Sequence, residues 1–235
     1  STHRGTLFPY TTLFRSASDV MAENPDVAVI ATGGMPSTRL HEIDAEQPLA
    51  VSAWDLISGD VKPAANILIY DEAGDHPGLM AAELASKAGS KVEVMTPDRT
   101  FAPDIMGMNL VPYMRALQDK DVTFTVARRL EAISRDGNRL KARIGTDYSS
   151  HADEKSYDQI VVNYGTRPLD ELYFDLREAS VNRGEITQAE LLAGKPQTIV
   201  TNPEGSFRLF RIGDAVSSRN IHAAIYDALR LMKDI

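Results

Sequence analysis

No cysteine occurs among the 235 residues, which removes disulfides, thiolate nucleophiles, cysteine-ligated zinc and iron–sulfur clusters from this polypeptide. No apolar run approaches the roughly 18–20 residues that a membrane span needs, and no basic-led apolar segment with a small-residue cleavage site opens the chain. The expectation is a cytoplasmic protein without membrane contact. Positive charge is outweighed as well: a net charge of −8 disfavours a nucleic-acid surface. The sequence also contains no G-x-G-x-x-G, the turn by which a Rossmann unit cradles a pyrophosphate.

What is present suits a globular chain. With 43% hydrophobic and 25% charged residues, it can bury one large core or two smaller ones. DVAVIATGG (Asp26–Gly34) is a continuous apolar run ending in glycines, the pattern of a strand buried on both faces. NILIYDEAGDHPG (Asn66–Gly78) repeats it, a helical spacing follows over Gly78–Ser90, and KVEVMTPDR (Lys91–Arg99) supplies another strand. Strand, helix and strand together have the size of a βαβ crossover, half of a dinucleotide-binding fold. A helical pattern covers Pro103–Gln118. VTFTVARRLEAISRDGNRLKARIG (Val122–Gly145) then alternates around Asp136-Gly137-Asn138 and reads as antiparallel strands. A polar loop leads to the buried strand YDQIVVNYGTRP (Tyr157–Pro168), and RLFRIGDAVSS (Arg208–Ser218) is the last strand and turn. The final helix, Asn220–Lys233, places Ile221, Ile225, Ala228, Leu229 and Met232 on one face.

Two strand ends, IATGGMP (Ile30–Pro36) and NYGTRP (Asn163–Pro168), and the triplet Gly213-Asp214-Ala215 form one theme. Their order, with the βαβ unit and the antiparallel strands between, resembles flavoproteins in which an NAD(P) domain is inserted into an FAD domain. Within these the chain is similar to the C-terminal region of the trimethylamine dehydrogenase, 2,4-dienoyl-CoA reductase and N-methylproline demethylase family. ILIYDEAG followed by AAELASKAGSKVEVMTPDR carries most of the likeness, which covers residues 19–235. The resemblance implies an α/β, Rossmann-like two-dinucleotide-binding fold with an antiparallel β-meander, truncated on its N-terminal side. It places a partial FAD domain at 17–61 and 169–235 and an NAD(P)-like domain at 62–168.

The resemblance also assigns roles. Asp214, behind Gly213, would accept hydrogen bonds from the ribityl chain or ribose of FAD or ADP, with a helix N-terminus behind it. Thr32, Gly33, Gly34 and Gly165 would let backbone pass close to the cofactor. At the nicotinamide turn, Asp71-Glu72-Ala73-Gly74-Asp75-His76-Pro77-Gly78, only Gly74 and Gly78 remain, and three acids would repel a diphosphate. Asp98 stands where an acid accepts ribose hydroxyls, favouring NAD, whereas the adjacent Arg99 could meet a 2′-phosphate, favouring NADP. Either a nicotinamide binds here or the second fold is structural. No catalytic residue and no metal ligand is expected, since hydride transfer between cofactors needs positioning more than acid–base groups.

Two further readings are weaker. ILIYDE is similar to the acidic corner of a receiver domain, but no phosphoacceptor aspartate or later lysine stands in place. His76 and His222 read as helix-start and surface residues, and Trp54 and Tyr164 as packing residues, Tyr164 with a chance of touching a cofactor.

The family's FAD domain opens with its own G-x-G-x-x-G unit, and its larger members carry an N-terminal barrel with FMN and an iron–sulfur cluster. Those parts are expected in a longer parent, with the barrel as this region's partner. The parent would be a flavin-dependent, NAD(P)H-linked oxidoreductase of dienoyl-CoA reductase or N-demethylase type; the alternative is a structural ADP- or NAD-binding module. A homo-oligomer is compatible with either. TLFPYTTLFRS (Thr6–Ser16), read back into codons, matches a widely used sequencing adapter, so residues 1–16 are expected to be non-native.

Overall fold

The computed structural model describes residues 16–37 and 49–231. The segment read as adapter-derived lies outside the described residues except for Ser16. That residue caps the first helix, α1 (Ala17–Ala22), in a reciprocal capping box with Asp19.

The described residues form two units, one within 36–165 and the other made of those up to 35 together with those from 166 onward. In the middle unit β3 (Val51–Ser52) pairs in parallel with β10 (Gln159–Asn163).

In the middle unit a five-stranded parallel sheet runs in the order β3, β10, β4 (Asn66–Asp71), β5 (Lys91–Met95) and β6 (Thr123–Thr125). Helix α3 (His76–Lys87) links β4 to β5, and α4 (Gly107–Gln118) links β5 to β6. The apolar run of β4 is explained by its two neighbours. Ile67 and Ile69 join Leu79, Ala82 and Ala85 of α3 and Leu56 of α2 (Ala53–Ser58) on one face. Leu68 and Tyr70 point the other way, into Leu130, Ile133, Ala142 and Ile144 of a three-stranded antiparallel sheet. That sheet is β7 (Arg129–Asp136), β8 (Arg139–Thr146) and β9 (Ser149–Tyr157). A strand covered on both sides has no polar face to alternate.

Three sequence expectations are corrected. Thr123–Thr125 is not part of the antiparallel set but the parallel edge strand β6, since it follows the α4 crossover. The polar stretch read as a loop before Tyr157 is strand β9, held by pairing with β8 and by ion pairs such as Lys141–Glu154 at 3.3 Å. The helix expected from Pro103 starts at Gly107 and runs through Pro112.

In the discontinuous unit, β1 (Val27–Ile30) pairs in parallel with β12 (Arg208–Arg211), and β2 (Gly34–Pro36) with β11 (Thr166–Pro168). Ala28, Ile30, Leu176, Phe207 and Leu209 form its core, with Leu176 contributed by α5 (Glu171–Arg177). The other edge of β12 is closed by Asn182, whose side chain accepts the Leu209 N–H and donates to the Leu209 carbonyl, both at 2.9 Å. A second helix, α6 (Gln188–Ala193), is peripheral, with no buried residue. The last helix, α7 (Ile221–Leu231), turns its apolar face outward: Ile221, Ile225 and Leu229 are 76%, 54% and 64% exposed. Its near side is small instead, and a Cβ on Gly213 would meet Ala224 Cβ at 3.3 Å. Met232 lies outside the described residues.

Candidate functional site

Strands β4 and β10 end side by side, Asn163 registered against Asp71. Both side chains are buried, 1% exposed for Asp71 and 4% for Asn163. Asp71 Oδ1 accepts the Gly74 N–H at 3.1 Å and an Asn163 Nδ2 proton at 2.9 Å, and Nδ2 also donates to Asp75 Oδ1 at 2.8 Å. The Asn163 carbonyl accepts the N–H groups of Glu72 and Ala73 at 2.9 and 3.1 Å. Burial, reinforced by the charge on Asp75, pushes the Asp71 carboxyl up to about 6 against these stabilising donors. Sequence reasoning noted the acids here but missed Asn163; its signal was a polar residue closing an apolar strand.

The expected cofactor glycines of this turn are used by the protein itself. Gly74 has φ +70°, and a Cβ there would lie 2.7 Å from the Pro103 ring. At Gly78 a Cβ would lie 2.6 Å from both Cγ and Oδ2 of Asp71. Pro77 removes another N–H from the first turn of α3. A dinucleotide diphosphate needs free amides, room and positive potential at this point. Here the amides of residues 72–74 are taken, the room is filled, and the nearest charges are negative, so these residues do not fit a nicotinamide dinucleotide.

Glu72 is held away from the turn. Arg129 bonds both oxygens of Asp147 at 2.8 and 2.9 Å and reaches Glu72 Oε1 at 3.1 Å, while Tyr70 donates to Glu72 Oε2 at 3.1 Å. Tyr70 also meets Tyr164 edge-on, with ring centres 5.7 Å apart. Asp98 and Arg99 are exposed, and Arg99 Nε donates to Tyr148 at 3.1 Å; no hydrogen bond among the described residues links either to the 71–78 turn. Gly165, φ +74°, accepts the Ser37 N–H at 3.0 Å. His76 starts α3, its Nδ1 3.3 Å from the Tyr113 hydroxyl, and His222 is exposed on α7. Trp54, expected to be packed, is 40% exposed.

The discontinuous unit presents a different site. Ile30 is registered against Arg211, so the turns Thr32–Gly34 and Gly213–Asp214 leave the carboxyl ends of adjacent parallel strands at one level. Thr32 is tied down by its hydroxyl, which donates to the Leu169 carbonyl, and the Leu169 N–H bonds the Gly33 carbonyl at 3.0 Å. Gly33 has φ +75° and nothing within 4 Å of a Cβ position. Gly34 instead abuts the Arg167 carbonyl, at 2.8 Å from a Cβ position. Thr166 is drawn to the last turn by its N–H, which bonds Ser218 Oγ at 3.3 Å, and its buried Oγ1 has no partner among the described residues. Asp214 Oδ1 accepts the Arg219 N–H at 3.2 Å, while Oδ2 has no partner among the described residues. The Gly213 N–H is taken by Asp227 at 3.0 Å, and the start of α7 is capped by Asn220, which accepts the Ala223 N–H at 2.9 Å. An open glycine, an orphaned buried hydroxyl and a free carboxylate oxygen fit the hydroxyls of a flavin or adenine nucleotide; the helix N-terminus expected behind Asp214 is already satisfied.

No protein-family model matches the chain. It is 57% identical over 98% of its length to a probable N-methylproline demethylase of Rhizobium meliloti, covering 34% of that protein. It is 37% identical over 89% of its length to an N,N-dimethylglycine/sarcosine dehydrogenase of Chromohalobacter salexigens, covering 32% of it. The chain thus spans about a third of the length of these relatives. The first match covers 98% of the chain and so reaches into residues 1–16. Among solved structures, a 2-naphthoyl-CoA reductase complex superposes with a TM-score of 0.68 at 22% identity, over 94% of this chain and 28% of that one, a likeness of fold.

Proposed function

The chain belongs to the trimethylamine dehydrogenase and N-methylproline demethylase family of flavoproteins, and from that premise we propose that it supplies the dinucleotide-binding region of a flavin-dependent oxidoreductase. In this reading the discontinuous unit holds FAD, or the ADP that corresponds to half of it. One observation carries the assignment: β1 and β12 deliver Gly33 and Asp214 to the same edge of a parallel pair, where the buried Thr166 hydroxyl has no partner among the described residues. Carboxyl ends of parallel strands are where open α/β folds take nucleotides.

Each residue has a definite part. Asp214 Oδ2 accepts from a ribose or ribityl hydroxyl, and the Oδ1 bond to Arg219 fixes the carboxylate plane. Gly33 leaves the approach free of a side chain, and Thr32, through Leu169, holds that turn in place. A bound flavin supplies the two-electron acceptor for the reaction. The whole protein, on the names of its relatives, oxidises the N-methyl group of an amino acid.

Calorimetric titration of the full chain with FAD, FMN and ADP tests the reading. FAD or ADP binds, and Asp214→Asn weakens it at least tenfold while Asp98→Asn leaves it unchanged. A chain that melts cooperatively yet binds neither adenine nucleotide overturns the assignment.

A further inference from the structure

We propose that the Asp71 carboxylate is a resident anion occupying the diphosphate seat of the middle unit, so that this second dinucleotide-type fold is an interlock closed to nicotinamide nucleotides. The inference is independent of the nucleotide assigned to the other unit.

The topology locates the seat. Going out from β4, helices carry the chain to β5 and then β6 on one side, while β10 and β3 lie on the other. The crevice of such a sheet opens where that order reverses, beyond the carboxyl ends of the two central strands. Those ends are Asp71 and Asn163. Their side chains meet at 2.9 Å where a ligand would enter.

A bound diphosphate does three physical things at this point: it accepts turn amides, sits against a helix start, and lies over a glycine that lacks a side chain. Asp71 does all three. It accepts the Gly74 amide, it reaches Gly78 at the start of α3, and it fills the volume over that glycine. Asn163 then bridges the Asp71 and Asp75 carboxylates through one amide nitrogen and collects two further turn amides on its carbonyl. Pro103 closes the turn from the other side, packed on Gly74, and the Asp104 N–H bonds the Gly74 carbonyl at 3.1 Å. The result couples β4, α3 and β10 without a ligand. Any electrons passing through a flavin of this protein then leave or arrive by a carrier other than a nicotinamide seated here.

Hydrogen–deuterium exchange on the full chain, read at the amides of residues 72–80, tests this with NADH, NADPH and inorganic pyrophosphate at millimolar concentration. Regional readout separates this crevice from nucleotide bound elsewhere. The expected result is no added protection in the natural sequence. Asp71→Ala combined with Asp75→Asn should gain protection there, with pyrophosphate affinity rising at least tenfold, whereas Asp71→Asn, which keeps the shape, should stay closed. Protection of residues 72–80 by NADH or NADPH in the natural sequence overturns the proposal, whatever the variants do. So does a cooperatively folded Asp71→Ala/Asp75→Asn chain that gains no pyrophosphate binding.

Discussion

Asp71 and Asn163 close the carboxyl ends of two adjacent parallel strands, with Nδ2 of Asn163 2.9 Å from Oδ1 of Asp71 and both side chains almost wholly buried. A buried carboxylate keeps its charge only while donors face it. Asn163→Leu removes a donor from both Asp71 and Asp75 and should cost about 3 kcal/mol of unfolding free energy. Urea unfolding of the full chain measures this. A loss below about 0.5 kcal/mol, the range of an ordinary surface change, would show that the pair contributes little.

The same buried carboxylate sets a pH dependence. Its folded value, about 6, lies above the ordinary 3.8, so the folded chain holds this proton more tightly than the unfolded one. Its contribution to stability is therefore full below about pH 4, falls as pH rises towards 6, and is lost above that. At about 1.4 kcal/mol per pH unit the change is on the order of 3 kcal/mol. Asp71→Asn abolishes this slope, so the variant should gain on the natural sequence between pH 5 and pH 8 in paired melts. Taking the difference removes the opposing effect of acids held low, such as Asp147 and Asp153 beside their arginines. A constant difference across that range contradicts the assignment.

Gly78 reports on the same contact from the helix side. A methyl group there would press on Asp71 at 2.6 Å, so Gly78→Ala should destabilise by about 1–3 kcal/mol, as overpacking does, despite alanine's better helix propensity. In an Asp71→Gly background the clash is gone, and the same change should be neutral or favourable. A double-mutant cycle by urea unfolding gives the coupling. Equal costs in both backgrounds would mean that Asp71 does not fill the space over Gly78.

Much of this architecture is legible in the sequence because burial on two faces leaves an uninterrupted apolar run, as in Ile67–Tyr70 and Ile160–Val162. Direction is not written there. Thr123-Phe124-Thr125 alternates equally well as a parallel or an antiparallel strand, and only the α4 crossover decides. Strand β9 escapes because periodicity senses apolar burial, whereas Asp153, Glu154 and Lys155 are held by ion pairs to Arg128, Lys141 and Glu93. On α7 the apolar spacing is real but faces outward, since the contact side approaches Gly213 through the small side chain of Ala224. At the site, the acids after Tyr70 signalled an unsuitable phosphate turn. Their partner Asn163 lies 92 residues further along the chain, and no local pattern joins the two.

Glu93 ties the parallel sheet to the antiparallel one and supplies the last test. On β5, its carboxylate accepts from Tyr157 at 2.8 Å, Lys155 at 2.8 Å and Thr125 at 2.7 Å. Burial alone would raise its pKa, but these three donors outweigh it and hold the carboxyl below its ordinary value. A lowered acid contributes stability that is present above its unfolded value and is lost as pH falls. Tyr157→Phe keeps the buried ring and deletes one donor, so it should cost about 1 kcal/mol at neutral pH. It should also let Glu93 protonate at a higher pH, moving the acid-unfolding midpoint upward. Lys155→Met should move it the same way and add salt independence, because the ion pair is partly exposed. Acid titrations followed by circular dichroism at low and high salt distinguish these effects. If neither variant moves the acid midpoint, Glu93 is not held by these donors, and the two sheets are joined by apolar packing of Tyr157, Leu130 and Ile144 alone.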